Sequence, residues 1–428
     1  MGGRHCPPPP RTSVSRSVAA ALFAALALSA CQDPAGVGLG LIDEEQSDPS
    51  VRTIPLGDLD TLQTATPAIG IALSTSSLAQ ARVLMGDVTD DVFGDARSVA
   101  YVDFQQPTIG DVEETDVTEV WLELRRDYAY GDTTTALPIA LSEVEGVWDA
   151  DRSYSPDTLF STGPVLSTTT IRATADSLQR FDLPQSWVTA NRALLVGERA
   201  DFLDQFEGFA LTPSADFAPA PGVVFGFRTY SGSGSALRVA TADDTLSFPL
   251  SEVFSSVDIT PPQVLVTDEV IPVRASSRAS LVFTADLGDV PQTALARATV
   301  RLPLDESFAR QGAFVRPIAP AAILYGLRLR GDGEEDRSVL GRLDVSGPNG
   351  ALDNTRVLTD SLQAVLFDPS RGGYTRYEVL PLGSPTGDAA SLSILPVTRP
   401  TPTSTSVPRL TLTLVGSTGT SATAPPAR

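Results

Sequence analysis

VTEVWLELRR, residues 117–126, decides the fold class. Val120, Leu122 and Leu124 alternate with Trp121, Glu123 and Arg125. An extended chain places the first three on one face and the second three on the other. Outward from this stretch the same period returns. In SVAYVDFQ (98–105) Ala100, Val102 and Phe104 share a face, and in TTALPIALSEV (134–144) Leu137, Ile139 and Leu141 do. GVVFGFRTY (222–230) gives Val223, Phe225 and Phe227, and SALRVAT (235–241) gives Leu237 and Val239. Each reads as a strand with one buried face. The turn signals Tyr-Gly-Asp at 130–132 and Ser-Gly-Ser-Gly at 231–234 separate them. With 34 Pro and 33 Gly, the composition suits short strands joined by many turns. Two stretches read as short helices. In ERADFLDQFEGF (198–209) Phe202 and Phe206 stand four apart and Gly208 follows as a stop; QSWVTANRALL (185–195) is the second.

The second half replays the first. SVAYVDF before VTEVWLELRR is echoed by SRASLVFTADLG before ALARATVRLPLD. Asp176-Ser177-Leu178-Gln179 matches Asp360-Ser361-Leu362-Gln363, and RFDLP (180–184) matches RYEVLP (376–381). SALRVAT closes one half and PRLTLTLVG (408–416) the other. ADFLDQFEGFALTPS (200–214) has no counterpart, so the halves are not equivalent. Similar order and spacing argue for an all-β chain of two tandem jelly-roll-like β-sandwich domains, with one or two short helices in the first.

Ahead of the strands, residues 1–30 hold Arg4, Arg11 and Arg16 and no acid, and Val18–Ala30 is apolar and small. This is a positive n-region and an h-region of signal-peptide length, too short for a membrane span. The run closes on Leu28, Ser29, Ala30 and Cys31, which resembles a bacterial lipobox whose Cys takes a diacylglyceryl group. A multiply acylated Cys31 would anchor the chain in a lipid bilayer, since burial contributes about 0.8 kcal/mol per CH₂. The expected organisation is a lipoprotein signal peptide at 1–30, an acidic, Gly-rich tether at 31–50, a first sandwich at 51–256, a second, shorter one at 257–416 and a disordered tail at 417–428.

Missing residues exclude chemistries. The chain has no Lys, and removal of 1–30 would take its only histidine, His5, together with Cys6. A Ser-His-Asp or Cys-His nucleophile needs an imidazole, Schiff-base chemistry and the P-loop need Lys, and zinc usually needs Cys or His. No enzyme is expected, although a carboxylate pair of the glycosidase type stays open. The net charge of −21 repels nucleic acid. GC-rich codons or a saline host each account for the missing lysines, and the two are compatible.

Two acidic loops invite a metal reading. Asp87, Asp90, Asp91 and Asp95 crowd GDVTDDVFGD (86–95), where Ca²⁺ could find oxygen ligands, or where a solvated turn would suffice. Asp332, Glu334, Glu335 and Asp336 in RGDGEEDR (330–337) are a weaker case. Trp121 and Tyr128 or Tyr130 could stack on sugar rings if they face solvent; otherwise they pack, as Trp148 and Trp187 are expected to do.

From Cys31 to about Leu250 the chain resembles the uncharacterised lipoproteins of Bacteroidetes-type bacteria grouped as domain of unknown function 4270. SACQDPAGVGLGLI, ARVLMGDVTDDVFGDARSVAYVDF, VTEVWLELRRDYAYGDTTTALPIALSEVE, DFLDQFEGFAL and SGSGSALRVAT carry the resemblance, in that order. The family is similar in turn to secreted jelly-roll modules that include carbohydrate binders. The resemblance implies a fold and an envelope location; it implies no activity. The expected partners are the lipid bilayer, through acylated Cys31, and an outer-membrane protein or glycan. The chain departs from the family in lacking Lys and in its short second half. The expected role is non-enzymatic binding, adhesion or assembly at the cell envelope. Glycan capture is the alternative, and a carboxylate-based glycoside hydrolase the third reading.

Overall fold

In a computed structural model the described residues are 50–63, 82–148, 154, 157–173, 178–217, 221–229, 232–260, 269–275, 279–329, 335–345, 349–352, 356–367, 376–382, 391–399 and 407–415. Cys31 with Leu28, Ser29 and Ala30, the tether, the tail, Asp332 and Glu334 lie outside them. Val51–Leu414 form one compact unit; of the flanking residues only the strand ends Ser50 and Val415 are described.

The first part of the chain supplies β1 (Ser50–Pro55), β2 (Gly57–Gln63), β3 (Arg82–Val88), β4 (Ala96–Phe104), β5 (Glu119–Asp132), β6 (Leu137–Val144), β7 (Thr162–Ile171) and β8 (Leu178–Asp182). Helices α1 (Gln185–Val196) and α2 (Arg199–Gln205) follow, then β9 (Phe209–Pro213), β10 (Gly222–Arg228), β11 (Ala236–Ala240) and β12 (Thr245–Ile259). The rest supplies β13 (Val270–Arg274), β14 (Ala279–Thr284), β15 (Ala294–Pro303), β16 (Arg310–Gln311), β17 (Phe314–Val315), β18 (Ala321–Leu329), β19 (Glu335–Asp344) and β20 (Asn349–Leu352). Helix α3 (Arg356–Phe367) precedes β21 (Arg376–Leu382), β22 (Ile394–Thr398) and β23 (Arg409–Val415). The chain is all-β, with three short α-helices among the described residues, two of them in the first half as expected.

One sheet runs β12-β11-β5-β10-β3-β4-β9-β6-β7, and β8 and the β16–β17 hairpin attach to β5. Long β12 pairs with β11 through Thr245–Pro249 and then with β4 up to Ile259, so this sheet curls back on itself. The other sheet runs β1-β23-β15-β20-β19-β18-β21-β14-β2. Only Leu56 separates β1 from β2, so one bent segment joins its two edges. Residues 50–63 thus belong to the sheet of residues 279–415 and not to that of 82–259.

Alternation explains the cores. Val120, Leu122 and Leu124 point into the core of the first sheet with Val102, Phe104 and Phe225, all fully buried. Leu56, Leu281, Val300, Leu324, Leu362 and Leu412 are among those that fill the second. Each such side chain contributes roughly 1.5–3 kcal/mol through burial. Leu84, Tyr128, Tyr130 and Val224 of the first sheet meet Ala309, Leu392 and Ile394 in a third apolar cluster.

Two of the sequence echoes do not survive. Leu178-Gln179 opens β8, whereas Asp360–Gln363 lies inside α3, where Leu358, Leu362 and Leu366 form a buried stripe four residues apart. RFDLP pairs with β5, whereas RYEVLP pairs with β14 and β18. Short amphipathic tetrapeptides fit either helix or strand, and tertiary packing decides between them.

Candidate functional site

The site grows out of β5. Its apolar alternation ends at Leu124, and a register shift against β10 falls between the pairs Arg126↔Phe227 and Tyr128↔Gly226. Where the next core residue would sit, the chain places Arg126. Its guanidinium lies over the Phe225 ring, 5.3 Å from the centroid. It donates to the carbonyls of Arg172, at 3.1 Å, and Ala173. Burial pulls the Arg126 pKa below the ordinary arginine value.

Beside it, Asp127 accepts two hydrogen bonds from Arg82, at 2.9 and 2.8 Å, and one from Arg228 at 3.1 Å. Arg82 in turn covers the Tyr128 ring at 4.9 Å. Gly226 makes the room, because a Cβ there would stand 2.5 Å from the Arg82 Cδ and 2.8 Å from the Tyr128 Cβ. An open groove of about 700 Å³ results, lined by Arg126, Asp127, Tyr128, Thr133, Thr134 and Arg172, among others. Thr133 donates to the Ala313 carbonyl, and Thr134 donates through both its hydroxyl and its N–H to Asp132. Those bonds from Thr134 hold the Asp132 carboxyl below its usual range. Arg172 is exposed on the rim. The groove therefore gathers guanidinium groups on a chain of net charge −21. Planar, bidentate guanidinium suits a carboxylate or sulfate.

The acidic loop does something else. Asp90 is buried and meets Arg316 from beyond β17. Its Oδ1 also accepts the N–H of Val92 and of Phe93, and Tyr130 donates its hydroxyl to Oδ2. Burial pushes the Asp90 pKa up, but the hydrogen bonds from Arg316 and Tyr130 outweigh it and hold the carboxyl below its usual value. Asp91 is exposed and reaches Arg316 at 3.1 Å. Asp87 faces Arg97 at 3.3 Å, and burial pushes its pKa up. Asp95 raises it further by charge repulsion. Asp90 and Asp91 thus share the Arg316 guanidinium, while Asp87 is taken up by Arg97. Among the described residues no group of three His, Cys, Asp or Glu side chains is placed to hold a metal ion. In the second acidic loop, Glu335 opens β19 and Asp336 pairs in register with Arg328.

The aromatic candidates are also occupied. Trp121 is half-buried, with Arg180 over its ring at 4.1 Å and its N–H donated to Glu123. Tyr128 is buried in the third cluster, where its hydroxyl accepts the Leu392 N–H at 3.0 Å. Tyr130 is buried against Asp90. Trp148 packs with Tyr101, Phe160 and Phe254, and Trp187 with Phe206 and Phe209, as expected of both.

Sequence reasoning missed the groove and one carboxyl. Asp103 lies on the opposite face of β4 from the core, and its pKa is pushed up to about 7. Burial is the main cause, with the charges of Glu252 and Glu207 adding to it. The signal for the groove was Arg126 itself, a charge standing where the alternation of LELRR calls for an apolar residue.

No protein-family model matches the chain, and no curated protein sequence does. It is similar to the crystal structure of a "putative secreted protein" from Parabacteroides distasonis, at 9% identity and a TM-score of 0.19, over 86% of this chain and 98% of that one. Among the described residues no helix is long and apolar enough to cross a membrane.

Proposed function

We propose that the chain is a cell-envelope lipoprotein, held in the outer membrane by an acylated Cys31, whose two jelly-roll-like sandwiches bind a ligand without transforming it. Its kinship with the domain of unknown function 4270 lipoproteins is part of this reading. The observation that carries the binding role is the arginine groove: Arg126, Arg172 and the Arg82–Asp127–Arg228 cluster concentrate positive charge on an acidic chain. The ligand class is anionic, and a carboxylated or sulfated glycan chain fits an open groove of that size. This joins the binding and glycan-capture readings. The hydrolase reading has less support. Asp103 sits beside a loop-covered aromatic cluster on β4 and β12, away from the residues that line the groove.

The test is binding of uronate and sulfated oligosaccharides on a glycan array, repeated with Arg172→Glu. Binding that falls about tenfold or more in the variant, as loss of a charged contact predicts, supports the reading. Equal binding by both proteins, or capture of neutral glycans only, overturns it. The anchor is tested separately by palmitate labelling, which Cys31→Ser must abolish.

A further inference from the structure

Most strand pairings recur in the two halves once pairing, not sequence echo, sets the correspondence; the difference is that β3 and β10 are built into the first sheet, whereas β13 and β22 form a two-stranded sheet of their own, and that β19 pairs with β20. β4 pairs with β9 and β14 with β21. β6 joins β9 to β7, and β18 joins β21 to β19. β5 pairs with β8 and β15 with β20, and a helix follows each of those partners. β3 pairs with β10 and β13 with β22. β5 lies beside β11, and β15 beside β23.

One position breaks the colinearity. In the first sandwich the gap between β11 and β4 is closed by β12, which follows β11 in the chain. In the second, the gap between β23 and β14 is closed by β1–β2, from the far end of the chain. The two closing strands match in sequence: Ile54-Pro55-Leu56-Gly57-Asp58-Leu59 against Phe248-Pro249-Leu250-Ser251-Glu252-Val253. Both bend at the Pro-Leu step, where each leaves one neighbour and joins the next. Both carry the same irregularity. Leu250 and Val253 face Phe104 and Val102, and Gly57 and Asp60 face Thr284 and Val282, three steps on the closing strand against two on its neighbour. Leu56 and Leu250 are each buried in the sandwich they close.

We propose that the chain is two tandem copies of one unit, residues 50–240 and 245–415, each opening on a bent strand that closes the other copy's sandwich. Residues 50–63 are then a donor strand, and the edges of β23 and β14 are its acceptor, a site for an extended segment with apolar residues at the spacing of Ile54, Leu56 and Leu59. Recognition is by strand addition, in which main-chain hydrogen bonds give affinity and alternate side chains give selectivity. It is an exchange of identical elements within one chain.

The arrangement predicts crossed phenotypes in the full chain. Trp121, Trp148 and Trp187 all lie in the first sandwich, so tryptophan emission reports that sandwich alone. Leu56→Asp buries a charge in the second sandwich and should raise protease cleavage within residues 279–415 about tenfold or more. Leu250→Asp should instead shift the tryptophan emission to the red. The decisive step is a synthetic peptide of residues 50–63 added to Leu56→Asp. Restored protease resistance, absent with a peptide carrying the same substitution, supports the donor strand whether the variant opened one sandwich or both. No restoration, or a Leu56→Asp chain as resistant as the wild type, overturns it.

Discussion

Arg316 and Asp90, 226 positions apart, meet with both side chains buried; Nε to Oδ2 and Nη2 to Oδ1 each measure 2.9 Å. Arg316 also lies over the Phe314 ring at 4.5 Å. Burial lowers the Arg316 pKa, but Asp90 more than offsets this and keeps it above the ordinary value. Removing one member strands the other. Arg316→Met should cost about 3–5 kcal/mol, read as a lower urea midpoint. Asp90→Leu combined with Arg316→Met should regain part of it, because no buried charge is left unpaired, but not all, because the Tyr130 hydroxyl and the Val92 and Phe93 N–H groups lose their acceptor. A single variant within about 0.5 kcal/mol of wild type would show that the pair holds nothing together. The Asp90 pKa lies below its unfolded value, so this contribution is present above about pH 4 and is lost as pH falls through the folded value.

Asp103 runs the other way. Its folded pKa of about 7 lies above the unfolded value near 3.8, so the unfolded chain releases this proton first. Stability therefore falls as pH rises from about 4 to 7, by at most about 4 kcal/mol at about 1.4 kcal/mol per pKa unit. Asp103→Asn should raise the thermal midpoint at pH 8 and flatten its slope across that window. An unchanged slope would place the titration elsewhere.

Gly208, expected only to stop a helix, does more. It sits at φ +83°, and a Cβ there would fall 2.2 Å from the Val102 carbonyl oxygen. Gly208→Ala combines left-handed strain, roughly 1–3 kcal/mol, with a backbone collision across the β4–β9 pairing. A loss of about 3 kcal/mol or more in urea unfolding is expected, whereas Gly110→Ala, which meets nothing within 4 Å, should change little.

Salt should stabilise. A net charge of −21 without Lys means self-repulsion at low ionic strength. The Debye length falls from about 30 Å at 0.01 M to about 3 Å at 1 M. The thermal midpoint should climb with KCl over that range. Sulfate, which strengthens apolar burial in any protein, is the control. A midpoint flat in KCl would leave codon bias as the sufficient reason for the missing lysines.

How much of this was legible depends on how local each signal is. β4, β5, β6, β10 and β11 could be read because one buried face imposes a period of two on a few consecutive residues. α2 could be read from Phe202 and its glycine stop. α3 was legible in principle from Leu358, Leu362 and Leu366, but the DSLQ echo drew it toward the strand at Leu178. The partner of Asp90 was not legible, because nothing in GDVTDDVFGD announces Arg316 in the far half of the chain. The groove was half legible: Arg126 violates its own alternation, but Arg172 joins it only through the loop that follows β7. The destination of β1–β2 was invisible, since a strand's sequence states which face is apolar and not which edge it will meet.

That destination sets a schedule for synthesis. β1–β2 leaves the ribosome before any other described strand, whereas β14 emerges in the last part of the chain and β23 almost at its end. At about 5–20 residues per second the first strand waits on the order of tens of seconds for its neighbours. During that interval the first sheet has every strand but the β16–β17 hairpin out by Ile259, while Ser50–Gln63 trails as an unpaired strand edge. Production of this protein should therefore depend on holdase chaperones more steeply than its size alone would suggest, with the demand ending only when the last strand is released.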